Sequence, residues 1–171
     1  PQLGVAIVSS GEAIWVCQSL YSAYLGWLER ATPHVDPATP PPVRARFLCA
    51  KAQTLMMTTA VQALDAADEA IEAARELGDP IELARSLNAK GFSLYSLKRG
   101  AEAVELAEES MRIIAALPTG RTCAQSKLLA ADLRGASGDP DAAIPLMREA
   151  IDDLRAFGAD GLANWLEQDL L

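Results

Sequence analysis

The chain has 171 residues, half of them hydrophobic and 5% aromatic, and a formal net charge of -8. A chain of this length and apolar content buries a real core, and its wealth of Leu and Ala with few β-branched residues favours helix. The acidic balance opposes approach to a phosphate backbone, so no direct nucleic-acid role is expected.

The apolar start at Leu3 to Val8 is short, lacks a basic leader and is interrupted by Ser9, Ser10 and Gly11, so no signal peptide is expected. Helices over about 3 to 17 and 21 to 31 are expected as a divergent first hairpin. Thr32 to Pro42 holds five prolines, which cannot continue a helix, and reads as a linker. Three further hairpins follow, at about 43 to 57 with 61 to 77, 81 to 97 with 101 to 117, and 121 to 137 with 140 to 157. In the segment from Val61 to Leu77 the apolar residues fall at 63, 64, 67, 70, 71, 74 and 77, the stripe of an amphipathic helix. Gly78 then supplies a left-handed stop, Asp79 a cap for the next helix and Pro80 its first turn. Gly138, Asp139 and Pro140 repeat that device, and Gly158 with Asp160 marks a third break. Pro145, early in its helix, removes one backbone hydrogen bond and is expected to kink the first turns. Leu162 to Leu171 starts a last helix with Trp165 and Leu166.

Ala63, Ala103 and Ala143 stand forty residues apart, and Leu64/Val104/Ile144, Ala67/Ala107/Met147 and Ile71/Met111/Ile151 keep the same register. Glu69, Glu109 and Glu149 do so among the polar positions. A fixed period of this length predicts stacked copies of one supersecondary unit, each hiding its apolar side against the next. The expected fold is all-α, a right-handed α-solenoid of antiparallel helical hairpins with about eight to nine helices. It is one domain over 1 to 171, in units of about 3 to 42, 43 to 80, 81 to 120 and 121 to 160, with 161 to 171 as a partial or capping helix. A start without methionine and two closing leucines lead us to expect a piece of a larger protein.

The hairpins resemble tetratricopeptide repeats. Leu87, Gly91 and Leu94 match the large, small, large spacing of that family's first helix, and Ala103, Ala107 and Ser110 match the packing positions of its second. Ala63, Ala67 and Ala70 repeat the second pattern, as do Ala143, Met147 and Ala150. The chain departs from the family at Lys51, where Gly91 and Ala131 stand in later units, at Lys127, where Phe47 and Leu87 stand, and in its longer period. The stretches at 27 to 31 and 73 to 80 resemble the repeat region of bacterial LuxR- and AfsR-type signalling ATPase regulators. The resemblance implies a concave groove lined by first helices. Its candidate residues are Leu48, Ala52, Leu55 and Met56, then Arg85, Asn88, Phe92 and Tyr95, then Gln125, Leu128 and Asp132.

Phe92 and Tyr95 are candidate anchors for a peptide or helix, with packing on an Ala-rich helix as the competing expectation. Arg85 and Asn88 are candidates for holding a carboxylate, though Arg85 also has Glu82 and Asp79 within reach. The family's clamp for a chaperone's C-terminal carboxylate is not matched, since Phe92 occupies one of its polar places. The expected function is binding of a protein, peptide or effector in the concave groove of a cytoplasmic bacterial signalling or transcriptional regulator, with other domains of the same chain as further partners. A structural spacer or homodimerisation domain is the alternative.

No catalytic, cofactor or metal residues are assigned. His34, the sole histidine, lies in the linker without a second imidazole or thiolate at ligand spacing. Cys17, Cys49 and Cys123 form no CxxC pair and read as reduced core thiols. The glycines are single, without a phosphate-cradling loop. Asp65, Asp68, Glu69 and Glu72 follow the helix period opposite the apolar stripe and read as a solvated face. Glu108 and Arg112 have the spacing of an i, i+4 ion pair. The sequence has no apolar run long enough to span a bilayer.

Overall fold

The computed structural model describes residues 2–12 and 20–168. Among these residues nine α-helices and one 3-10 turn account for the regular structure: α1 Gln2–Ser10, α2 Tyr21–Ala31, the turn Thr32–His34, α3 Pro41–Thr58, α4 Ala60–Leu77, α5 Pro80–Ser96, α6 Gly100–Ile114, α7 Arg121–Ala136, α8 Pro140–Ala156 and α9 Asp160–Gln168.

The punctuation works as its chemistry requires. Gly78 sits at φ 69°, its N–H donating to the Arg75 carbonyl, and the side chain of Asp79 accepts from the N–H groups of Ile81 and Glu82. Two otherwise unpaired donors at the start of α5 are thereby satisfied. Gly138 and Gly158 take the same left-handed conformation, and so does Lys98, which no glycine signal marked. These joints, 78, 98, 138 and 158, fall at multiples of twenty residues. The position that would complete the series is Pro118, whose ring fixes φ near -65° and forbids that conformation. The chain instead leaves α6 at Ile114, three residues earlier than its pattern predicts, and takes a longer path to Arg121.

Each hairpin packs its second helix on its first and on the first helix of the next unit, while α1, α3, α5 and α7 lie side by side. This is a helical-repeat solenoid. The repeat positions carry the stacking: Ala63, Ala70, Ala103, Ser110 and Ala150 are all fully buried. Small side chains there let backbones approach closely. Gly91 is the tightest such point, since a Cβ on it would overlap the Leu129 side chain of α7. In the first hairpin Tyr24 is fully buried and its hydroxyl donates to the Val8 carbonyl at 2.8 Å, tying α2 to α1.

Several expectations need correction. Pro41 and Pro42 belong to the first turn of α3 rather than to the linker, because a helix makes no internal use of its first N–H groups. The first expected helix stops at Ser10, and its remainder from residue 13 lies outside the described residues. The expected helix through Pro145 is present as α8, with Pro145 inside it. Cys49 and Cys123 are free and buried, whereas Cys17 lies outside the described residues.

Candidate functional site

The side-by-side first helices form the inner side of the stack, and polar groups draw that side together. Gln53 of α3 donates to the Arg85 carbonyl of α5 at 2.8 Å. Gln125 of α7 donates to the Gln53 side-chain oxygen at 3.2 Å, so α3 and α7 meet across the intervening helix. This contact narrows the inner side at the level of Gln53 and Gln125.

Beside these amides lies a charged cluster. Arg85 is ion-paired with Glu82 at 3.1 Å and with Glu12, which follows α1. Arg121, at the start of α7, approaches the other oxygen of Glu12 at 3.7 Å, and Arg46 of α3 reaches Glu82 at 3.5 Å. Burial works against the Arg85 charge, but the carboxylates of Glu12 and Glu82 outweigh it and hold the guanidinium above its ordinary range. The Cys49 thiol nearby is pushed up by burial, which leaves it protonated and unreactive. Three arginines against two carboxylates give this cluster a net positive charge.

The proposed groove residues separate into distinct environments. Leu48 and Leu55 are buried in the core around α3, and Asn88 is fully buried. These three are corrections: they have almost no surface to offer a partner. The Asn88 amide donates to Ser126 Oγ of α7 at 2.9 Å and accepts from Ser110 Oγ of α6 at 2.9 Å, and the two hydroxyls are 2.6 Å apart. Asn88 joins three helices. Arg85 makes the expected pair with Glu82, but in a largely buried setting and with Glu12 as a second partner. Ala52 is fully buried, whereas Met56, Phe92, Tyr95, Gln125, Leu128 and Asp132 are partly accessible. Burial raises the Asp132 carboxyl above the usual carboxylate range.

Sequence reasoning missed Glu12, Gln53 and Arg121. Their partners lie 73, 32 and 109 positions away, beyond the reach of any helical or forty-residue pattern. At Lys127 the expected large apolar residue is replaced by an ion pair: its ammonium meets Glu149 at 3.2 Å and the buried Asp153 at 2.9 Å. Asp65, Asp68, Glu69 and Glu72 are exposed, and His34 is an exposed turn residue. Among the described residues no group of three or more His, Cys, Asp or Glu side chains is placed to hold a metal. None of the described helices is long and apolar enough to cross a membrane.

The architecture defines a class, the helical-hairpin solenoids. Within it, residues 82–156, from the first turn of α5 to the end of α8, match the family model described as tetratricopeptide repeat. That stretch is similar to tetratricopeptide repeat, a unit that commonly mediates protein–protein interaction. No curated protein matches the chain.

Proposed function

We propose that this chain is a protein-interaction module whose inner side receives an acidic segment of a partner protein or peptide. The observation that carries the reading is the hold of Arg85 and Arg121 on Glu12, a carboxylate delivered from a remote part of the chain. A partner carboxylate entering there would take over the place of Glu12. Phe92, Tyr95, Met56 and Leu128, each partly accessible on the first helices, would add apolar contact, and no reaction is assigned to the chain. The resemblance to bacterial signalling and transcriptional regulators extends the reading to a cytoplasmic protein in which occupancy of the inner side is passed to neighbouring domains.

An array of short peptides graded from Asp/Glu-rich to Lys-rich tests this. Asp/Glu-rich peptides should bind selectively. Arg121→Glu should weaken them about tenfold or more, the scale of a lost charge-assisted contact, and Glu12→Gln should strengthen them by removing the internal competitor. Equal binding of both peptide classes, or no response to either substitution, would refute the proposal.

A second reading, self-association, is favoured by the last two helices. Phe157, Leu162 and Trp165 are 57%, 48% and 59% exposed, an unusual display of large apolar side chains at one end of a stack. Light scattering showing a monomer at all concentrations would remove it.

A further inference from the structure

The forty-residue repeat places equivalent hollows between successive second helices, one between α4 and α6 and one between α6 and α8, each bordered also by the first helix that separates them. Leu64, Asp68, Lys90, Leu94, Arg99 and Leu106 of the first hollow correspond to Val104, Glu108, Ala130, Arg134, Asp139 and Leu146 of the second. The two are of similar size, about 700 and about 600 Å³. Their chemistry differs.

In and beside the first hollow the cations are paired. Lys90 crosses from α5 to Asp68 on α4, Arg99 pairs with Glu102, and Arg75 of α4 holds Glu109 of α6 through two bonds of 2.9 and 3.1 Å. Forty residues on, Ala130 replaces Lys90 and Ala115 replaces Arg75, so both cross-braces are lost. The second hollow is left with an apolar floor made by Val104, Met111, Leu133 and Leu146. At its rim stand Arg112 and Arg134, neither of which has a carboxylate within ion-pairing distance among the described residues. The i, i+4 pair expected between Arg112 and Glu108 is not made. The Arg112 Nε instead donates to the Glu108 backbone carbonyl at 3.3 Å. Asp139 is engaged with the Ala142 N–H as the cap of α8.

This hollow lies away from the inner side. Ala130 and Arg134 each follow an inner-side residue, Leu128 and Asp132, by two positions, about 200° around the helix.

We propose that the hollow between α6 and α8 is a binding site for an amphipathic organic anion, a molecule with an apolar body and a single carboxylate. Its volume lies in the range of small-molecule sites, and its lining has the expected form of an apolar floor with a few polar groups at one edge. The body lies on Met111, Leu133 and Leu146. The carboxylate meets the guanidinium groups of Arg112 and Arg134, whose planar forks suit it. Glu108 at the same rim disfavours a second negative charge, which selects mono-acids over di-acids.

The test titrates the chain with decanoate, decanol and decylamine, read by the amide resonances of α6, α7 and α8. Decanoate should bind about tenfold tighter than decylamine and shift resonances near Ala130 and Leu133. Ala130→Lys, which restores the residue type of Lys90 opposite Glu108, should fill the hollow and weaken decanoate about tenfold or more while circular dichroism stays native. Arg134→Leu, which restores the residue type of Leu94, should erase the preference for decanoate over decanol. The assignment is overturned if decylamine binds as well as decanoate, or if the shifts fall on the inner side. It is equally overturned if a folded Ala130→Lys binds unchanged. Should Ala130→Lys fail to fold, Arg134→Leu decides: an unaltered preference for the acid sinks the proposal.

Discussion

Replacing Asn88 with Ala probes the point at which three helices are tied together. The amide makes two hydrogen bonds inside a fully buried triangle with Ser110 and Ser126. Each is worth roughly 0.5 to 1.5 kcal/mol net, so their loss costs about 1 to 3 kcal/mol. The space left by the amide adds a cavity penalty, bringing the expected destabilisation to about 2 to 4 kcal/mol. With a urea slope of about 2 kcal/mol/M, the unfolding midpoint followed by circular dichroism should fall by about 1 to 2 M. The hydroxyl of Ser110 donates to Asn88 and would lose that acceptor, while Ser126 can still turn to the Thr122 carbonyl. Converting the whole triangle to apolar groups, Asn88→Leu with Ser110→Ala and Ser126→Ala, removes donors and acceptors together. That variant should lie within about 1 kcal/mol of the parent, because no polar atom is stranded. A loss below about 0.5 kcal/mol in Asn88→Ala, or a triple variant less stable than the single one, would refute the reasoning.

Gly91→Ala sets a helix-propensity gain of up to about 1 kcal/mol against overpacking of Leu129 at roughly 1 to 3 kcal/mol, so a net loss of about 0 to 2 kcal/mol is expected in urea titration. Pairing it with Leu129→Ala should relieve the overlap, and a clear stabilisation by Gly91→Ala alone would contradict the close approach of α5 and α7. Lys127→Met strands the buried Asp153 and should cost about 1 to 3 kcal/mol, whereas Lys127→Met with Asp153→Leu should recover most of that; additive losses in the double variant would count against the ion pair. Asp132 is raised above the usual carboxylate range by burial, so the folded chain holds this proton more tightly than the unfolded chain. Its contribution to stability is therefore fullest below the ordinary carboxylate pKa and is lost as the pH climbs from there through the raised value. Asp132→Asn should raise the melting temperature at pH 7 and bring little change at pH 3; equal effects at both would dismiss the burial argument.

Much of the architecture could be read from periodicity. The stripe at 63, 67, 70, 71 and 74, its recurrence forty residues later and the Gly-Asp-Pro joints predict the three central hairpins and their stacking, because each depends on interactions between near neighbours or repeat-equivalent positions. The proline-rich linker misled at Pro41 and Pro42, since composition does not distinguish a proline that breaks a helix from one that begins it. The inner-side candidates fared less evenly. Register identifies which side of a first helix faces inward, but not how far neighbouring units close upon one another.

The linear pattern by itself determined that this chain builds repeated helical hairpins, for amphipathic spacing and local capping act over a few residues and survive any arrangement of the whole. Only the tertiary structure decided that Asn88 is a buried tie and that Gln125 spans to Gln53. It likewise placed Glu12 against Arg85 and Arg121 and left the α6/α8 hollow without the braces of its predecessor. Those outcomes depend on how the units pack on one another in three dimensions, which brings together side chains that no local period relates.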